Sequence, residues 1–259
     1  VLLALLAGCG KPPGPTAAKT PPGPADGPSP AKPDEPPPFA AAAGFARDFL
    51  RAANAGTATP DQLTAAFKTL VAPPVFPSDE PQGYSDAAAA DWLAGWKGKL
   101  PATAPVAAAT TADAAVFAGP GVGLRVAKEG GGWRADGLFP AAGPLPTGDA
   151  AFPGFAAAAF LHAVAAKDDR MAAALMTPGL RARLAPPFGS DRGGFNRGLL
   201  GQRLADLRGT ATGYALARAD AGTAAGELTG PDGARRAVTL KLAKGERAWD
   251  WLVDEYRAE

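Results

Sequence analysis

Apolar positions along the chain fall into three regimes. Val1 to Ala7 is an unbroken apolar run. Residues 11–38, KPPGPTAAKTPPGPADGPSPAKPDEPPP, hold twelve prolines and no aliphatic side chain larger than alanine. From residue 39 onward large apolar residues return at regular spacings. Helical spacing comes first and strand spacing second, and this order runs through twice.

The second round is the clearer one. Phe155, Leu161 and Val164, with alanines between them, predict a helix packed closely on its neighbours. Asp168 or Asp169 caps a second helix running through Leu175, and Thr177-Pro178 reads as an N-cap followed by proline at the first helical position. Phe195, Leu199, Leu200, Leu204 and Leu207 keep helical spacing over a further segment. The period then changes. Val238, Leu240 and Leu242 alternate with Thr239 and Lys241, the pattern of a half-buried strand. Trp249, Trp251 and Val253 alternate in the same way after a turn at Lys244 to Arg247. Thr229 to Gly233, TGPDG, is turn chemistry between two more strands.

In the first round Phe45, Phe49 and Leu50 belong to an opening helix, and Thr59-Pro60-Asp61 marks a second helix start. Ser85 or Asp86 begins a third helix, with Trp92 and Trp96 four apart on one face. Val116, Val122, Leu124 and Val126 then predict strands ahead of GGGWRADGLF, Gly130 to Phe139. Helices segregated ahead of an antiparallel meander argue for an α+β fold.

Two separate matches tie the rounds together. FLRAANA at Phe49 and FLHAVAA at Phe160 share F-L-x-A-x-x-A, and LRVAKEGGGW ends on Trp133 where LKLAKGERAW ends on Trp249. Matches in the same order at nearly equal offsets indicate two copies of one domain. These span residues 39–139 and 151–257, joined around Pro140 to Ala150, with Phe49 expected on Phe160 and Trp133 on Trp249.

The leading run is too short to cross a bilayer, which takes roughly 20 apolar residues, and suits the h-region of a secretory signal over residues 1–8. The charged n-region and initiator Met that precede an h-region are missing, which places the true start upstream. Cys9, the only cysteine of the 259 residues, follows directly. Leu6-Ala7-Gly8-Cys9 resembles the bacterial lipobox. That resemblance implies diacylglyceryl attachment to the Cys9 sulfur and cleavage between Gly8 and Cys9. Small residues admit the backbone to the protease, and a thiolate is the nucleophile that takes the lipid. The alternative is an ordinary secretory signal that happens to contain Cys. Gly10 stands where an aspartate retains lipoproteins at the inner membrane, which favours the outer membrane. A single Cys leaves an exported chain without an intramolecular disulfide. Two or more acyl chains, at ~0.8 kcal/mol per buried methylene, give a stable tether.

Residues 9–38 then form a lipid-anchored linker. Its composition cannot bury enough apolar surface to offset ordering, and extended polyproline II at ~3.1 Å per residue lets it reach on the order of 80 Å. It serves as a stand-off, the alternative being a ligand for an SH3-like domain.

FLHAVAAKDDRMAAALMTPGLRARL (Phe160 to Leu184) followed by AAGELTGPDGARRAVTLKLAKGERAWDWL (Ala224 to Leu252) resembles the nuclear transport factor 2-like, or cystatin-like, superfamily, which includes SnoaL-like proteins. The resemblance lies in the order of elements and includes no diagnostic catalytic motif. It implies two tandem cones, each a curved antiparallel sheet wrapped around a long helix with a ligand-binding mouth. It also implies pairing of the copies through their sheets, as a pseudo-two-fold within the chain.

Enzymes of that superfamily use an Asp or His base with a Tyr or protonated acid as oxyanion donor. His162, the only histidine, stands opposite Arg51 of the first copy and reads as a solvated helix residue. Tyr214 reads as a half-buried packing residue, and Asp250, Asp254 and Glu227 as the wet side of a strand edge. No catalytic residue is assigned. One His and one lipidated Cys cannot supply the three or four ligands of a soft metal site, so neither metal nor cofactor is expected. GPGVG at Gly119 to Gly123 lacks the later glycine and helix of a nucleotide loop and is a turn. With 26 basic against 25 acidic residues there is no electrostatic footprint for nucleic acid. Arg181, Arg183, Arg192, Arg197, Arg203 and Arg208 enrich one helical region and read as a solvated basic face. The expected function is an exported, lipid-anchored module that binds a small molecule or a partner protein without catalysis. The alternative is a cone-pocket isomerase or dehydratase.

Overall fold

The opening helix α1, Pro38–Ala55, has two faces. Ala42, Ala46, Phe49, Leu50 and Ala53 are buried, while Arg47, Asp48 and Arg51 are exposed. The computed structural model describes residues 38–72, 85–101, 105–187 and 195–259. Leu6, Ala7, Gly8, Cys9 and all of the proline-rich linker except Pro38, which opens α1, lie outside the described residues, as does Arg192.

Thr59 caps only a single 3₁₀ turn, Pro60–Gln62. The second helix, α2 (Ala65–Val71), starts after Thr64, whose hydroxyl accepts from Phe67 N–H. Ser85 caps α3, Asp86–Ala94, and Trp96 lies just beyond it with its ring 5.7 Å from that of Trp92. Four strands follow: β1 Val106–Thr110, β2 Ala114–Gly119, β3 Val122–Glu129 and β4 Gly132–Phe139. They form an antiparallel meander in chain order.

The second half runs through α4 (Ala151–Ala165), α5 (Asp169–Ala174), α6 (Pro178–Leu184) and α7 (Arg197–Arg208), with Asp168, Thr177 and Asn196 as N-caps. It closes with β5 Gly213–Ala219, β6 Thr223–Thr229, β7 Arg235–Lys244 and β8 Trp251–Ala258, again an antiparallel meander. The fold is α+β. Pro36–Glu259 forms one compact unit.

Two apolar clusters explain the layering. Alternation in β2 and β3 turns Phe117, Val122, Leu124 and Val126 toward Phe49 and Leu63, and turns Val116 and Ala127 the opposite way. That opposite face packs on α4. Every residue of α4 except His162 is buried, because its other side is covered by β5, β6 and β8. A glycine seats the helix on each side. A Cβ at Gly137 in β4 would stand 2.9 Å from the Phe155 ring, and one at Gly226 in β6 would meet Ala215 O at 2.5 Å and Leu161 at 2.6 Å. Together with its preceding turn α4 is long and apolar enough to cross a membrane, but 78% of that stretch is buried inside the protein. The helix lies between the two sheets, so the halves stack helix, sheet, helix, sheet. They do not pair sheet on sheet as the superfamily resemblance implied.

A second correction concerns tryptophan. Trp249 lies in the turn before β8, and the residue paired with Lys244 across the hairpin is Trp251. Trp133 pairs with Lys128 in the same way. Each lysine sits over its tryptophan, at 5.5 Å for Lys128 and 5.8 Å for Lys244. The second turn is two residues longer, which displaces the textual match.

One device recurs in both halves. β4 bulges so that Asp136 has no partner between Ala135 and Gly137, and β8 bulges at Asp254 between Val253 and Glu255. Thr64 donates its hydroxyl to Asp136 at 2.8 Å, and Thr177 to Asp254 at 2.7 Å. Each threonine backbone N–H also bonds the strand residue before the bulge, Ala135 or Val253, at 2.9 Å. The same hydroxyl accepts from the helix it caps, so both its donor and acceptor capacities are used.

Candidate functional site

The acid–base candidates are occupied by packing. His162 stacks on Phe139 of β4 with ring centroids 6.1 Å apart, and Tyr214 lies 5.7 Å away. The expected solvated position holds for Arg51 on α1, 73% exposed beside Asp48, but not for His162 on α4, which the first sheet covers. Burial lowers the His162 pKa from its ordinary value of 6.5, partly offset by the charge of Asp168. Tyr214, on β5, donates to Pro140 O at 2.7 Å and accepts from Ala142 N–H at 3.2 Å, pinning the segment between the halves. Burial pushes its hydroxyl up to about 12, with the Ala142 bond acting the other way.

The acidic residues do not share one wet edge. Glu227 pairs with Arg235 on an exposed face. Asp254 is held in its bulge by Thr177. Asp250 joins a cluster between the halves, in which Arg247 forks onto Asp250 at 2.6 and 2.9 Å and onto Asp136 at 3.1 and 3.2 Å. Arg125 stands 2.9 Å from Asp136 and 3.5 Å from Asp250, with its guanidinium over the Phe155 ring. Two arginines thereby neutralise two carboxylates, and the Asp136 side chain is only 1% exposed. Burial works to lower the Arg247 pKa, but its bonds to Asp250 and the charge of Asp136 outweigh this and hold it above the ordinary value. Nothing in the hydrophobic periodicity marks this cluster, since Asp136 sits in a bulge that breaks the alternation.

Of the helical arginines, Arg183, Arg197 and Arg203 are exposed as expected, whereas Arg181 and Arg208 are partly buried. Arg181 turns inward, donating to Ala173 O and lying over Phe195, and burial lowers its pKa. Arg208 pairs with Asp169 and donates to Val164 O. Arg183 and Arg203 instead line a cleft of about 410 Å³ between α6, α7 and the ends of β7 and β8. Arg236 from β7, Asp206, Leu207 and Tyr256 complete the part of its wall that carries polar chemistry and apolar contact. Arg183 is held by Asp254 O at 2.5 Å. Arg236 caps the end of α7, donating to Asp206 O at 2.6 Å and Leu207 O at 2.8 Å. The Tyr256 ring lies 6.4 Å from that of Phe160, and burial raises its hydroxyl pKa, with Arg203 lowering and Asp206 raising it.

Among the described residues no three His, Cys, Asp or Glu converge as a metal-binding group. The cleft brings together cations from two helices and a strand, and these are groups suited to binding anions. Comparison of the chain with protein-family models, curated proteins and solved structures finds no match.

Proposed function

We propose that this chain is a lipid-anchored envelope protein presenting two tandem cone-shaped α+β modules, the second of which binds a small molecule without catalysis. The observation that carries the binding reading is the chemistry of the cleft. Its cations are arginines, which stay protonated at any physiological pH, and its phenol is pushed above its ordinary range. Such groups hold and orient a ligand and do not exchange protons near neutrality. The engagement of His162 with Phe139 and of the Tyr214 hydroxyl with Pro140 supports the module over an isomerase or dehydratase. The recurrent Thr–Asp bulge supports two copies of one domain.

The anchor rests on Leu6-Ala7-Gly8-Cys9 and on the linker that follows. With a complete leader supplied, Cys9→Ala is expected to leave the membrane fraction and lose acyl label. Unchanged detergent partitioning of that variant removes the lipid-anchor reading.

A further inference from the structure

We propose that the cleft between α6, α7, β7 and β8 is an anion site, which takes the phosphate or carboxylate of a small organic molecule and lays the apolar part against Tyr256 and Leu184. This rests on the cleft's being the binding site and is independent of the lipid anchor.

Arg183, Arg203 and Arg236 reach the cleft from three separate elements, against the carboxylate of Asp206 in its wall and that of Asp254, 3.8 Å from Arg183. Two of them are fixed by main-chain carbonyls. Arg236 uses one terminal nitrogen for both of its bonds to the end of α7, and Arg183 uses one for Asp254 O. A guanidinium carries five N–H donors, so both retain donors while their direction is set. Arg203, exposed on α7, makes no hydrogen bond or ion pair among the described residues and lines the cleft together with Tyr256. Arg183 and Arg236 are thus held in place by the fold, while the donors of Arg203 stay open to solvent or to a ligand.

The planar fork of arginine matches paired oxygens of phosphate and carboxylate. A volume of about 410 Å³ falls in the range of small-molecule sites, ~300–1,000 Å³. Leu184 and the Tyr256 ring, both partly exposed, offer apolar contact beside the charges. A small anion with a flat or aliphatic body suits both parts.

The test is calorimetric titration of the full chain with phenyl phosphate, using benzyl alcohol as the neutral counterpart. Saturable binding of phenyl phosphate is expected, weakening about tenfold in Arg203→Gln and weakening with added salt. Asp206→Asn, which removes one opposing charge, is expected to tighten it. Circular dichroism and the urea midpoint verify that the variants fold. Co-sedimentation of the Cys9→Ala chain with phosphatidylglycerol or phosphatidylcholine vesicles separates the sources of the anion. Arg203-dependent binding to the former alone identifies a lipid headgroup, and binding to neither leaves a free anion. If phenyl phosphate binds but is indifferent to Arg203→Gln and to salt, the anion site is overturned. Equal binding of benzyl alcohol overturns it too, while leaving the small-molecule reading standing. No saturable binding of either probe defeats both.

Discussion

Arg247 meets both carboxylate oxygens of Asp136 with two nitrogens, and so fastens the turn before β8 to the bulge of β4 across the boundary between the halves. The same carboxylate accepts from Thr64 and faces Arg125, whose side chain is 11% exposed. Asp254 occupies the corresponding bulge of β8 but is 45% exposed.

The two bulge aspartates should therefore differ in their effect on stability. Asp136→Ala leaves Arg125 in the interior without its main counter-charge and is expected to cost about 3–5 kcal/mol. Asp254→Ala forfeits chiefly the Thr177 bond, about 1 kcal/mol. Urea denaturation of the two variants checks this, and equal losses would refute the distinction.

Seating α4 gives a second prediction. Gly226→Ala brings a Cβ against a backbone carbonyl, which cannot swing away, and should destabilise by about 1–3 kcal/mol. Gly44→Ala lies inside α1 with nothing within 4 Å, and should stabilise by about 0.5–1 kcal/mol through helix propensity. Thermal and urea midpoints of both variants are the measurement, and opposite signs are the expected outcome.

His162 sets a third. Its folded pKa lies below the ordinary 6.5, so the unfolded chain binds the proton more readily. Its contribution to stability is complete above pH 6.5 and is lost as pH falls from there through the lowered folded value. His162→Gln should flatten that part of the stability profile between pH 7.5 and pH 5. Parallel profiles for the two proteins would show that Phe139 and Tyr214 do not hold the imidazole neutral.

Much of the fold is legible because one-sided burial imposes a period. Val238, Leu240 and Leu242 are buried where Thr239 and Lys241 are exposed, and Thr177-Pro178 begins α6 as capping chemistry requires. The failures occur where the cause lies elsewhere in the chain. The short motif sets Trp249 opposite Trp133, because a two-residue difference in turn length leaves no trace in it. His162 reads as solvated because it stands opposite the charged Arg51 of α1, and the surface that covers it belongs to residues some 20 positions earlier, at Phe139. Arg183 and Arg203 are visible as helical arginines, but Arg236 joins them only through the course of β7. Asp136 leaves no mark in the periodicity because its bulge breaks the alternation that identifies a strand.

The seat that the first sheet offers to α4 has a further consequence for self-association. Its contact is heterologous, one kind of surface meeting another, and contacts of that kind can propagate from molecule to molecule into fibres. Beside their bulges, Gly137 faces Arg125 and Phe139 faces Gly123 in the first sheet, whereas Glu255 faces Lys241 and Arg257 faces Thr239 in the second. Glu255 is paired with both Lys241 and Arg257 there. An apolar helix laid on that surface would have to strip water from three charges, at a cost its contacts could not recover. The charges on β7 and β8 therefore make this face a poor seat for the kind of apolar helix that the first sheet holds.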